Sequence, residues 1–293
     1  MKHITKFLLP VLILCLLCGC GNTSRDPIAA TTLPVWQFTS MLCQGTPLTV
    51  TRLVTEEVSC LHDYSLSVRQ MKAIENAELV IMSGAGLEDF LADALRGSQE
   101  TVDASAGIPL LEGGCYHHDE KNHEEHHHEL DPHIWLSPVC ARQMADNICA
   151  GLVEKYPQYE DIFNANLATL QEELDALLVY GKDTLADLSS REIITFHDGF
   201  AYLAHEFDLE ILEAIEEESG SEASAEEMIH LIEMVEHHGV KAVFTEINGS
   251  ASAATVIAAE TGVALYSLDM AMSGDDYFES MYRNIDTLKE ALS

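Results

Sequence analysis

The chain has 293 residues, 47% of them apolar, enough to bury a sizeable core in one large domain or two lobes. Forty-nine acidic residues against fifteen basic ones give a formal net charge of −34. Nothing in that balance can neutralise phosphates, so nucleic acid is excluded as a partner; a field of this sign draws in cations, and it also keeps an exported chain soluble.

Lys2 and Lys6 precede an apolar run from Phe7 to Leu17 that is too short to span a bilayer as a stable helix. Leu17-Cys18-Gly19-Cys20 follows, the pattern of a bacterial lipoprotein signal. Residues 1–19 are therefore expected to be removed, with Cys20 carrying the lipid on the extracytoplasmic side of the cell membrane. An ordinary cleaved signal is the alternative, and small-x-small sites fit less well here. Residues 20–30 read as a tether.

Residues 31–157 read as an N-terminal α/β lobe. LTVTRLV (48–54) is a β-branched strand, SLSVRQMKAIENA (65–77) has apolar residues at helical spacing, and LVIMSG (79–84) is a short buried strand. LEDFLADALRG (87–97) is expected to be a helix stopped by Gly97, and TVDAS (101–105) a further strand. Cys43 and Cys60 flank the first of these strands, so a bridge between them is the first guess in an oxidising compartment. Pairing among Cys43, Cys60, Cys115, Cys140 and Cys149 cannot be deduced from sequence, and the absence of C-x-x-C among them argues against a thiolate zinc site.

Residues 115–130 interrupt the alternation with a histidine-rich stretch lacking any apolar period, expected to be a surface loop. Ser137-Pro138 then opens a helix. A long helical segment at 158–188 links the lobe to a second one at 189–293, and Gly181 weakens its pattern without ending it. Strand and helix alternate again through EIITF, FAYLAHEF, ILEAI, a capping box at Ser224-Ala225-Glu226-Glu227, VKAVFTEI, ASAATVIAAE, VALYSL and a final helix. The economical reading is two α/β lobes, each a mostly parallel sheet flanked by helices, joined by one long helix.

Ligands in open parallel sheets bind beyond the carboxyl ends of the strands. His197 follows EIITF, Asp269 follows VALYSL, His62 lies in the loop after LTVTRLV, and His133 lies just before the Ser137 cap. Two come from each lobe, and three imidazoles with one carboxylate form a nitrogen/oxygen set suited to Zn²⁺. Each alone has a blander account: a strand-end histidine is commonly a hydrogen-bonded structural residue, and Asp269 could cap the last helix. Glu246, ending VFTEI, points toward the same cleft and is a candidate to orient a ligand histidine.

These stretches resemble the zinc and manganese substrate-binding lipoproteins of ABC importers. His62-Asp63-Tyr64 with KAIENAELVIMSGAGLEDFL is similar to that family's first metal-binding segment, and Asp131-Pro132-His133-Ile134-Trp135-Leu136-Ser137-Pro138 to its second. Phe196-His197-Asp198-Gly199-Phe200 and Leu268-Asp269 are similar to the third and fourth. The resemblance implies a rigid backbone helix between the lobes, metal ligands at His62, His133, His197 and Asp269 in the interlobe cleft, and a zinc cargo rather than catalysis. It also implies a membrane permease as partner to a monomeric receptor. His at the third position, His197, and the histidine-rich loop place the resemblance on the zinc branch, with manganese or another divalent metal as the alternative. The segment before His62 reads SCLHDY, and Met270 stands where Pro is common, so the loops there depart from the family's pattern.

Half of the fourteen histidines lie between 117 and 135. His117, His118, His123, His126, His127 and His128 are read as an auxiliary low-affinity metal loop, because ordering a loop around an ion costs roughly 1–2 kcal/mol per residue fixed. His123-Glu124-Glu125-His126-His127 also matches H-E-x-x-H, the signature of zinc proteases. That chemistry needs a helix packed by apolar neighbours, and every residue from 117 to 129 is polar or charged. A surface adhesin with a purely structural zinc is the remaining competitor.

Overall fold

The computed structural model describes residues 27–58, 61, 64–92, 94–95, 100–113, 130–214 and 224–293. The signal segment, Cys20, Cys60, Cys115, His62 and the six loop histidines lie outside the described residues.

Two four-stranded sheets, all parallel, carry the same winding. The N-terminal sheet runs β2-β1-β3-β4, with β1 Ile28–Ala30, β2 Val50–Arg52, β3 Leu79–Met82 and β4 Glu100–Asp103. The C-terminal sheet runs β6-β5-β7-β8, with β5 Glu192–Thr195, β6 Glu210–Ala214, β7 Ala242–Glu246 and β8 Ala264–Leu268. In each, the strand order reverses beside the first strand, between β1 and β3 and between β5 and β7. That reversal opens a crevice at the strands' carboxyl ends.

Helices cover both faces, as βαβ connections require. In the first lobe, Ile28, Ala30, Leu79 and Ile81 point into one core with α1 (Leu33–Leu42) and α3 (Pro138–Lys155). Ala29 and Val80 point to the opposite face, where Ile74 of α2 (Val68–Asn76) packs. The second lobe repeats this: Ile194 and Val243 meet α6 (Ala225–His238) and α7 (Ser252–Thr261). The capping box expected at Ser224 is formed with Glu227, and a second one joins Ser67 to Gln70 at the start of α2.

The 25-residue α4 (Glu160–Thr184) touches α1 and α3 of the first lobe and α8 (Tyr277–Leu292) of the second. Gly181 is a packing device. A Cβ there would lie 2.2 Å from Cε1 of Phe207, which is the first residue after α5 (Ala201–Glu206). One continuous buried cluster therefore runs from Phe38 through Leu177 to Tyr277 and Ile285.

The segment after β8 stitches the lobes. Met270 O accepts from Trp135 Nε1 (2.7 Å), Met272 O from the Leu33 amide (3.1 Å) and Gly274 O from Arg52 Nη1 (2.6 Å). Gln37 pairs with Asp276 and the Tyr277 amide, and the Tyr277 hydroxyl donates to Trp135 O (2.7 Å).

Three expectations are corrected. Residues 28–30, read as tether, form β1, the fully buried second strand of its sheet; three residues are too few to show a period. The run 87–97 is not a helix where described but a single 3₁₀ turn, Asp89–Leu91. Glu88 is pulled into the strand ends instead, accepting from Thr31 Oγ1 (2.6 Å), the Ser83 amide (2.7 Å) and the Gly84 amide (3.0 Å). Cys43 is a free thiol rather than half of a bridge to Cys60; it packs as a small apolar group, and burial pushes its pKa up to about 12.

Burial pushes Glu88 up to about 7, against the pull of its three donors and with Asp103 adding to the rise. Its folded pKa exceeds the unfolded one, so the stability it contributes is intact below the ordinary carboxyl range and lost as pH rises through about 7. The melting temperature of Glu88→Gln relative to the unmodified chain is expected to rise between pH 5 and pH 8 (both roughly bracketing that window). A pH-independent difference would remove Glu88 as the source.

Candidate metal centre

His133 and His197 are brought together. Their ring centroids lie 5.3 Å apart with the planes at 83°, and each residue is 4% exposed. His197 comes two residues after β5, whose ladder continues through the Phe196 amide to Phe244 O (2.9 Å). His133 precedes the 3₁₀ turn Ile134–Leu136, which leads through the Ser137 cap into α3.

Each imidazole has a carboxylate at Nδ1. His133 Nδ1 lies 2.8 Å from Asp131 Oδ1, which also accepts the His133 amide at 2.8 Å. His197 Nδ1 lies 3.1 Å from Glu246 Oε1, at the end of β7. The Asp131 segment is held from the second lobe: the Tyr202 hydroxyl of α5 donates to Asp131 O (3.0 Å) and accepts the Leu111 amide (2.9 Å). Among the described residues, Asp131 Oδ2 is buried with no hydrogen-bond partner. Such a group costs about 1–3 kcal/mol, so stability alone does not favour it.

Asp269 stands one residue beyond β8, at the same sheet end, but faces α8. Its Oδ1 accepts the Ala271 amide (2.8 Å) and its Oδ2 the Ser280 hydroxyl (2.8 Å), with Arg283 Nη1 at 3.6 Å. It is not the cap of α8, a role taken by Asp276, whose Oδ1 accepts the Glu279 amide. Among the described residues, no three histidine, cysteine, aspartate or glutamate side chains converge closely enough to hold an ion. The pair His133 and His197 is thus assembled, Asp269 is placed but turned to its own helix, and His62 lies outside the described residues.

Sequence reasoning missed the roles of Asp131 and Tyr202. Asp131 carried a signal, since Asp readily bonds the backbone two residues on and the following Pro132 fixes an extended approach. Tyr202 carried none.

Gly199 keeps this centre open. A Cβ there would meet His197 Cδ2 at 2.6 Å, Met270 Cε at 2.7 Å and His197 Nε2 at 2.8 Å. The imidazole is braced behind by Glu246, so Gly199→Ala is expected to displace the ring and lower zinc affinity on the order of tenfold or more. Calorimetric titration checks this, and an unchanged affinity would show that the Nε2 edge of His197 is not a ligand edge.

The family model described as ZnuA, zinc-uptake complex component A, periplasmic, matches residues 28–291. Zinc-binding protein AdcA of Streptococcus pyogenes serotype M1 is 28% identical over 89% of this chain, and the chain spans about 55% of that protein's length. The high-affinity zinc uptake system protein ZnuA of Bacillus subtilis is 28% identical, over 94% of each chain. The crystal structure of the Zn(II)-bound ZnuA-like domain of Streptococcus pneumoniae AdcA superposes with a TM-score of 0.75 at 26% identity, covering 90% of this chain and 98% of that one.

Proposed function

The chain belongs to the family of the periplasmic zinc-uptake component ZnuA, and from that membership we propose that it is an extracytoplasmic Zn²⁺ receptor that delivers its cargo to an ABC-type membrane permease. The observation that carries the reading is the pair His133 and His197, buried 5.3 Å apart with a carboxylate at each Nδ1. His62, and Asp269 once its carboxylate turns from Ser280 and Arg283, would complete a set of three nitrogens and one oxygen, the donors and number that Zn²⁺ takes. No water or substrate position is left over in such a set, which suits capture and transfer of an ion rather than chemistry on a bound molecule.

Cys20 anchors the receptor to the membrane as a lipidated monomer, and the histidines at 117–128 gather zinc weakly. Manganese, with its preference for oxygen ligands, fits this nitrogen-rich set less well. Calorimetric titration with zinc and with manganese tests the reading. Tight zinc binding at one site, weaker manganese binding, and an intact tight site after deletion of 117–128 are expected. Loss of all tight binding on that deletion would move the site into the loop and end the proposal.

A further inference from the structure

Histidine ligates a metal through one ring nitrogen, and the partner of the other nitrogen fixes both tautomer and ring plane. In this chain Nδ1 of His133 is hydrogen-bonded to the buried Asp131, and Nδ1 of His197 lies at ion-pair distance, 3.1 Å, from Oε1 of the buried Glu246. We infer that Glu246 and Asp131 are positioning residues for the zinc site: each holds the proton of its histidine on Nδ1, so that Nε2 of both rings is the donor to the ion. This rests on the zinc-receptor reading above.

Where the two carboxylates sit supports the assignment. Glu246 ends β7, which pairs with β5 at the point where the strand order reverses, so the sheet sets its distance to His197 before any ion arrives. Asp131 works over a shorter span: one oxygen takes both the ring and the main-chain amide of His133, locking the ring to its own backbone. Both residues are buried, at 6% and 3% exposure, so water does not compete for either imidazole. Gly199 and the Met270 methyl lie on the opposite, Nε2 edge of His197, which leaves that edge to small neighbours.

The test combines long-range proton–nitrogen NMR of the zinc-free protein with zinc calorimetry on Glu246→Ala, Glu246→Gln and His197→Ala. The unmodified chain is expected to hold the proton of both His133 and His197 on Nδ1. Glu246→Ala should mix the two tautomers of His197, leave His133 unchanged, and lower zinc affinity roughly 10–100-fold. Glu246→Gln, which keeps an acceptor oxygen, should retain the tautomer and most of the affinity; at His133, Asp131→Ala should act as Glu246→Ala does at His197, and Asp131→Asn as Glu246→Gln does. A proton on Nε2 of His197 in the unmodified chain, or a Glu246→Ala affinity equal to the unmodified one, overturns the inference. The receptor reading is judged separately, because it requires His197→Ala to lose tight zinc whatever Glu246 does. Should Glu246→Ala fail to fold, the tautomer of the unmodified chain and the Glu246→Gln affinity still decide.

Discussion

His197→Ala is expected to lower zinc affinity some hundredfold to thousandfold while the zinc-free protein stays folded. Tetrahedral sites bind with about 10–16 kcal/mol, so one ligand in four answers for about 2.5–4 kcal/mol, and each 1.4 kcal/mol is tenfold. The fold should survive because His197 is not part of the continuous apolar cluster, which runs through Phe38, Leu177 and Tyr277. Differential scanning calorimetry with and without zinc reads both quantities at once. The unmodified protein should gain melting temperature with zinc by mass action, and the variant should lose that gain. A chain using zinc only as a structural brace, as an adhesin would, should instead melt well below the unmodified protein even without added metal.

Trp135→Ala should act the other way, on the scaffold first. Trp135 is fully buried, its indole donates to Met270 O at 2.7 Å, and its own carbonyl accepts the Tyr277 hydroxyl at 2.7 Å. Truncating a buried tryptophan costs about 3–5 kcal/mol, which for a chain of this size is a drop in melting temperature of about 6–20 °C. Zinc affinity should fall with it, because the His133 ring packs on Trp135 at 5.4 Å and Met270 follows Asp269 directly. If the variant melts normally, the indole is not the tie between the two lobes that its contacts make it.

What could be read from the chain was what periodicity and punctuation encode. The strands at 79–82, 192–195, 242–246 and 264–268 are apolar runs ended by turn residues, the helix at 68–76 shows apolar residues at helical spacing, and the one at 225–238 begins at a capping box. The βα pair that opens the fold escaped because β1 is three residues, Ile-Ala-Ala, whose identity as a strand comes from the neighbours on either side. At 87–97 local propensity favoured a helix, but tertiary bonds from Glu88 to Thr31, Ser83 and Gly84 prevailed. The site shows the same division. His133 and His197 were legible as polar residues at strand and helix ends, and the resemblance of the surrounding motifs singled them out. Glu246 was legible as a candidate to orient a ligand histidine, and Asp131 carried its signal two residues before His133; that Glu246 would meet His197 in particular, and that Asp269 would turn toward Ser280 and Arg283, depends on tertiary packing.

The stretch from Met270 to Tyr277 belongs by sequence to the second lobe but is hydrogen-bonded to Leu33, Gln37, Arg52 and Trp135 of the first. Cutting the chain within α4 would therefore not yield two autonomous modules, since each half would be left with donors and acceptors stripped of their mates. Asp269, at the head of that stretch, is itself held by Ser280 and Asn284 of α8, in its own lobe.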